Sequence, residues 1–188
     1  MKRLFAALSI CPDVEFLRMY RNLKAQLSDE SIKWVEEHNI HITTRFFGEI
    51  PEHKIGKICE ILKTSSEQTN EIQIQLSKIG LFGSRYSPRV IWLGIEPYTE
   101  LVSFMKRLQV DLQVLGYEPD RQNTVPHLTL GRIKMVQDKI RFQRVIDNYS
   151  GWKSRFQSFG GMTLYESILH REGPEYLAIE NFLFKKSP

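Results

Sequence analysis

Two triplets of the pattern His-x-Thr carry the chemistry open to this chain: His41-Ile42-Thr43 and His127-Leu128-Thr129. With five histidines and eight threonines among 188 residues, finding two such triplets by composition alone is uncommon. Imidazole titrates near neutrality, so a neutral histidine can take a proton from an attacking water or hydroxyl. A second, protonated histidine can give a proton to a leaving alkoxide. The threonine hydroxyls can donate hydrogen bonds to the non-bridging oxygens of a phosphate held between them. In an extended strand, residues i and i+2 point to one side with Cα atoms about 6.5–7 Å apart. His and Thr of one triplet can therefore reach one small anion together, whereas on a helix the same pair would diverge. The two triplets are expected to face each other across one cleft and share one phosphate. A lone histidine on a half-buried strand is usually packing; the duplication, on two amphipathic segments, is what points to chemistry.

The elements that must position these residues follow from periodicity. Over residues 40–47 the chain alternates, with Ile40, Ile42, Thr44 and Phe46 on one face and His41, Thr43, Arg45 and Phe47 on the other. Pro126 biases Val125 towards an extended backbone, and Leu128 and Leu130 turn to the core while His127 and Thr129 face the cleft. A guanidinium is needed to hold growing negative charge. Strict alternation puts Arg45 on the histidine face and Arg132 on the opposite one, unless Gly131 bends the strand and re-aims Arg132.

Further strands are expected over 2–10, 31–35, 72–81, 90–95, 157–169 and 176–184. A phase change between Leu76 and Ile79 implies a bulge, and the apolar run 90–95 implies a central strand. Four helices are expected. The first is opened by Pro12-Asp13 with Phe16, Tyr20, Leu23 and Leu27 as its stripe. The others cover 52–66, 99–115 (stopped by Gly116) and 138–149, and a polar loop runs over 117–125. Each half of the chain thus offers strand, helix and motif strand. That pattern implies an α+β fold of two pseudo-symmetric lobes, each an antiparallel sheet with helices packed outside, around a central cleft. Residues 1–188 are read as a single two-lobed domain.

The net charge of +4 permits a nucleic-acid ligand without requiring one. No apolar run approaches the roughly 18 residues that span a membrane, and the apolar start reads as a buried strand because it stops at Pro12-Asp13. Cys11 and Cys59 lack C-x-x-C spacing and are expected to be reduced thiols of a cytoplasmic protein. His38 with His41 lacks the neighbouring ligands of a zinc site. No glycine pattern matches a phosphate-binding loop, and no Gly-x-Ser-x-Gly elbow is present. His38 and His53 are expected at the surface, and His170 in a polar loop bordering the cleft.

At these residues the chain resembles the two-histidine phosphoesterase superfamily, and within it the RNA 2′,3′-cyclic phosphodiesterases, also called 2′-5′ RNA ligases. The likeness rests on Arg3-Leu4-Phe5-Ala6-Ala7-Leu8, His41-Ile42-Thr43-Thr44-Arg45-Phe46-Phe47-Gly48-Glu49, Pro88-Arg89-Val90-Ile91-Trp92-Leu93-Gly94 and Pro126-His127-Leu128-Thr129-Leu130-Gly131-Arg132. It continues in Tyr165-Glu166-Ser167 and Gly173-Pro174-Glu175-Tyr176. Thr44 departs from the family's usual aliphatic residue. The resemblance implies a bilobal fold, no cofactor and no metal, and opening of a 2′,3′-cyclic phosphate on an RNA end or small nucleotide to a 2′-phosphate. By that likeness His127 is the general base, His41 the general acid, and Thr43, Thr129 and Arg132 the phosphate-binding residues. Arg45 and Phe46 are further substrate contacts, and Phe46, Tyr86 and Trp152 are weighed as stacking platforms against core packing. The alternatives are a reversible 2′-5′ RNA ligase using the same residues and a non-catalytic RNA-binding module of the same fold. A monomer without an obligate protein partner is expected.

Overall fold

The computed structural model describes residues 1–84, 86–119 and 125–186. Nine strands alternate with four α-helices: β1 (Lys2–Ser9), α1 (Val14–Gln26), β2 (Ser31–Trp34), β3 (His41–Ile50), α2 (Ile55–Glu67), β4 (Ile72–Ser84), β5 (Ser87–Glu96), α3 (Thr99–Leu112), β6 (Leu128–Met135), α4 (Lys139–Asn148), β7 (Lys153–Phe159), β8 (Gly161–Leu169) and β9 (Pro174–Leu183). The expected strand over 157–169 is two strands, divided at Gly160, with β7 pairing to β4 and β8 to β1. Part of the expected polar loop, residues 120–124, lies outside the described residues.

The strands run in the order β7-β4-β5-β6-β3-β1-β8-β9, antiparallel throughout, with β2 lying beside β6. Two half-sheets are visible in this order. One is β3-β1-β8-β9; the other is β7-β4-β5-β6 with β2. Their strands meet where Ile42 of β3 pairs with Leu128 of β6, the central residues of the two His-x-Thr triplets, and a parallel bridge between Asn70 and Lys185 ties the far ends. The bilobal, pseudo-symmetric arrangement therefore has its axis at the two motifs.

The helices are exchanged between lobes. α1 follows β1 yet packs under the β2–β6 side: Phe16 meets Trp152 edge-on, and Tyr20 meets Trp34. α3 follows β5 yet packs with α2 and β3 in the first lobe, where Phe104 meets Phe184. Two helix starts and one helix end match the capping rules, while α2 and α3 begin without a side-chain cap. Asp13 caps α1 through the Phe16 amide, Asp138 caps α4 through the Ile140 and Arg141 amides, and Gly116 adopts φ +81° after α3 has tightened into a 3-10 turn. The bulge expected in β4 falls at Lys78, whose φ of 49° breaks the pairing with β5 between Ser77 and Ile79.

Candidate active site

Both motif strands present their triplets as the alternation predicts. Ile42 and Leu128 are fully buried, while His41, Thr43, His127 and Thr129 are partly exposed and line one cleft of about 1040 Å³. Phe46 and Arg132 line the same cleft. Thr44, the departure from the family pattern, is buried with its hydroxyl towards the Met162 sulfur.

Beyond the triplets, simple alternation fails in the same way on both strands. In β3, Ala7 pairs with Thr43 and Ala6 with Arg45, so Thr44 is an extra residue. In β6, Trp92 pairs with Thr129 and Ile91 with Gly131, so Leu130 is extra. Each bulge shifts the face of every later side chain by one. Arg132 is thereby turned into the cleft, as the expected bend required, though the shift arises at Leu130 and not at Gly131. Gly131 instead supplies space: a Cβ there would lie 2.9 Å from Ile32 Cγ2 and 3.0 Å from Trp34 Cε3. In β3 the same shift brings Phe46 into the cleft and takes Arg45 out of it. Arg45 is 6% exposed, donates from Nη2 to the Glu118 carbonyl, and sits 6.0 Å from the Tyr117 ring centroid. The expectation that Arg45 touches substrate is therefore corrected: the bulge at Thr44 reverses its side.

The two imidazoles are held alike. His41 Nδ1 lies 2.6 Å from the Asn39 carbonyl and His127 Nδ1 lies 2.9 Å from the Val125 carbonyl, in each case two residues upstream. A carbonyl only accepts, so Nδ1 carries the proton in both rings and Nε2 is left for proton transfer. Asn39 is itself anchored, its Nδ2 donating to the Pro174 carbonyl in the β8–β9 hairpin. Aromatic rings seat each imidazole: Phe5 and Tyr176 at 4.9 and 5.3 Å from His41, Phe82 and Trp92 at 4.7 and 6.3 Å from His127. Trp92 lies across Gly80, where a Cβ would meet its ring at 2.2 Å.

Burial pushes both histidines below the ordinary imidazole range. The carbonyl bonds oppose that shift, and nearby positive charge deepens it: His127 acts on His41, and Arg132 acts on His127. All three groups line the same cleft. The arrangement can bind an anion between two proton-transfer groups, with Arg132 and two hydroxyls to hold it.

Other expectations are placed as follows. His38 is exposed at the cleft rim, and His170 also lines the cleft, its Nε2 2.9 Å from Glu175. Tyr86 is 81% exposed beyond the cleft, and Trp152 packs on Phe16, so of the three weighed aromatics only Phe46 borders the cleft. Arg3 covers the Phe46 ring at 4.9 Å. Cys11 and Cys59 are free thiols. Among the described residues no three His, Cys, Asp or Glu side chains are grouped to hold a metal ion, and no helix is long and apolar enough to cross a membrane. Sequence reasoning passed over Asn39, Lys24 and Lys33, and gave Tyr176 no role beyond the resemblance; all four border the cleft or its histidines from other elements, and no local spacing announces them.

The model of the LigT like phosphoesterase family matches residues 9–92. A Methanocaldococcus jannaschii protein named RNA 2′,3′-cyclic phosphodiesterase is 32% identical over 180 residues, covering 96% of this chain and 99% of its own. An Archaeoglobus fulgidus protein of the same name is 32% identical over 186 residues, with 96% and 99% covered. The crystal structure of TT0787 of Thermus thermophilus has the same fold, with a TM-score of 0.78 over 99% of this chain and 100% of that one at 21% identity. The chain belongs to the LigT-like phosphoesterases and is an enzyme of that family.

Proposed function

We propose that this protein hydrolyses a 2′,3′-cyclic phosphate at an RNA end to a 2′-phosphate, within a single two-lobed unit spanning 1–188. The observation that carries the reading is the pair of imidazoles on one cleft, each with Nδ1 committed to a backbone carbonyl. The naming of the M. jannaschii and A. fulgidus relatives supports the substrate.

His127, neutral at Nε2, takes a proton from water as the oxygen attacks phosphorus. His41, protonated at Nε2, gives its proton to the departing 3′-oxygen, leaving the phosphate on the 2′-oxygen. Thr43, Thr129 and Arg132 hold the non-bridging oxygens, where charge builds in the transition state. The chain's own side chains supply both proton transfers and the anion site. Activity is therefore expected to persist in EDTA, and activity that vanishes and returns only with added metal would overturn this scheme.

The test is hydrolysis of an oligonucleotide ending in a 2′,3′-cyclic phosphate, with the product's phosphate position read by chromatography or NMR. His41→Ala and His127→Ala should each lose about 10²–10⁴ in turnover. Full hydrolysis by either variant, or a 3′-phosphate product, would refute the assignment.

A further inference from the structure

We propose that Lys33 and Lys24 form a second phosphate site beside the catalytic one, reading the 5′-phosphate of the nucleotide whose cyclic phosphate reacts. The inference rests on the proposed cyclic phosphodiesterase activity and specifies which substrates that activity favours.

The geometry comes from β2, the strand that flanks β6 along its outer half. Lys33 is the direct cross-strand partner of Arg132. Directly opposed residues point to the same side of a sheet with Cα atoms about 4.5–5.5 Å apart. Like charges so placed repel one another. Among the described residues neither Lys33 nor Arg132 has an ion-pair partner that would relieve this. Lys24 of α1 lines the same cleft, its Nζ lying over the Tyr20 ring, 5.4 Å from the centroid. Trp34, the next residue of β2, forms the apolar wall between α1 and the cleft. Glu36 is the one acidic residue of this rim that lines the cleft; Glu37, outside the lining, is paired with Arg21 and also feels the charge of Lys24, while Glu172 and Glu175 belong to the β8–β9 hairpin and Glu175 is paired with His170.

Opposed unneutralised cations facing a cleft are an anion site. Arg132 is turned towards the histidines by the Leu130 bulge, so it attends to the reacting phosphate. Lys33, one strand away, is then placed for the next phosphate along the strand, with Lys24 beside it. The cleft, at about 1040 Å³, is at the upper end of the range for small-molecule sites and has room for more than one nucleoside. A nucleoside 2′,3′-cyclic phosphate has nothing to offer Lys33. A 5′-phosphorylated one, or an RNA end, does.

The experiment compares kcat/KM for a nucleoside 2′,3′-cyclic phosphate with and without a 5′-phosphate, at several salt concentrations. In the wild type the 5′-phosphate should raise kcat/KM about tenfold or more, the effect of a charge-assisted contact. The advantage should shrink with salt. In Lys33→Ala with Lys24→Ala the ratio should fall to near one, and in Lys33→Glu it should fall below one. Lys33 is exposed, whereas Lys24 is half-buried over Tyr20, so Lys33→Ala alone, which should lower the ratio part of the way, and thermal melts of each variant keep a folding defect distinct from loss of the site. A ratio that is near one in the wild type, or unchanged in the variants, would overturn the proposal. Failure of the wild type to hydrolyse either substrate would instead overturn the reading on which it rests.

Discussion

Each cleft histidine donates a hydrogen bond from Nδ1–H to the carbonyl two residues upstream, and the consequence is a pair of rings that can exchange roles. Burial lowers both pKa values from the ordinary 6.5, and the positive charge of His127 and Arg132 lowers them further. A lowered pKa lets the base work at more acidic pH, because its neutral form persists there. The same lowering removes the protonated acid at more acidic pH. The two limits move in the same direction, so the bell-shaped kcat/KM profile of the free enzyme should peak below pH 6.5. A bound phosphate anion favours the protonated rings, so the kcat profile should peak at higher pH than that of kcat/KM. Paired profiles with one substrate check this; a kcat/KM optimum in the alkaline range would contradict it.

At the scale of the element, the catalytic face depends on two bulges and on the strands behind them. The Leu130 bulge is tied to α1, since the Tyr20 hydroxyl sits 3.0 Å from the Leu130 carbonyl and 2.5 Å from that of Val35. His127 in turn rests on Phe82 and Trp92, and those two rings stack at 5.0 Å. Trp92 can lie flat only because residue 80 has no Cβ. Gly80→Ala should therefore force the indole aside, costing about 1–3 kcal/mol of stability by overpacking. It should also lower turnover while leaving His41 seated on Phe5 and Tyr176. Thermal melts and kcat measured together check this; a variant with wild-type melting and wild-type kcat would mean that Trp92 does not brace His127. The sequence pattern anticipated the β4 bulge from the phase change across Lys78. The bend expected at Gly131 to re-aim Arg132 falls at Leu130, one residue earlier; the bulge at Thr44 is not anticipated, because Thr44-Arg45 keeps an apparently regular pattern until its partner on β1 is known.

For the whole molecule, the exchange of α1 and α3 makes each lobe depend on both halves of the chain. Without the second half, Phe16, Tyr20 and Leu23, all fully buried in the intact protein, would face water. Without the first, Leu101, Phe104 and Leu108 would lose their partners on α2 and β3. Fragments 1–97 and 98–188 should each lack a cooperative unfolding transition, as followed by circular dichroism. A fragment that melts cooperatively alone would show that the lobes are independent. Among the described residues the half-sheets share little backbone pairing, Ile42 with Leu128 and the Asn70–Lys185 bridge, so packing of the exchanged helices, more than strand pairing, holds the cleft's two walls together.

By itself the sequence determined the two triplets, their extended conformation, the burial of Ile42 and Leu128, the four helices and the duplicated plan. These are local: period, capping residues and i, i+2 parity operate within a few residues of chain. Arg132 and Phe46 are expected at the cleft; tertiary structure alone decided that Arg45 is turned away from it and at which residue each strand bulges, because a bulge is defined by the register of a neighbouring strand. It also decided that Pro174 anchors Asn39, whose carbonyl holds the His41 ring through Nδ1, and that Lys33 lies opposite Arg132. Those contacts join residues distant along the chain, and no spacing in the sequence records a distance that only folding closes.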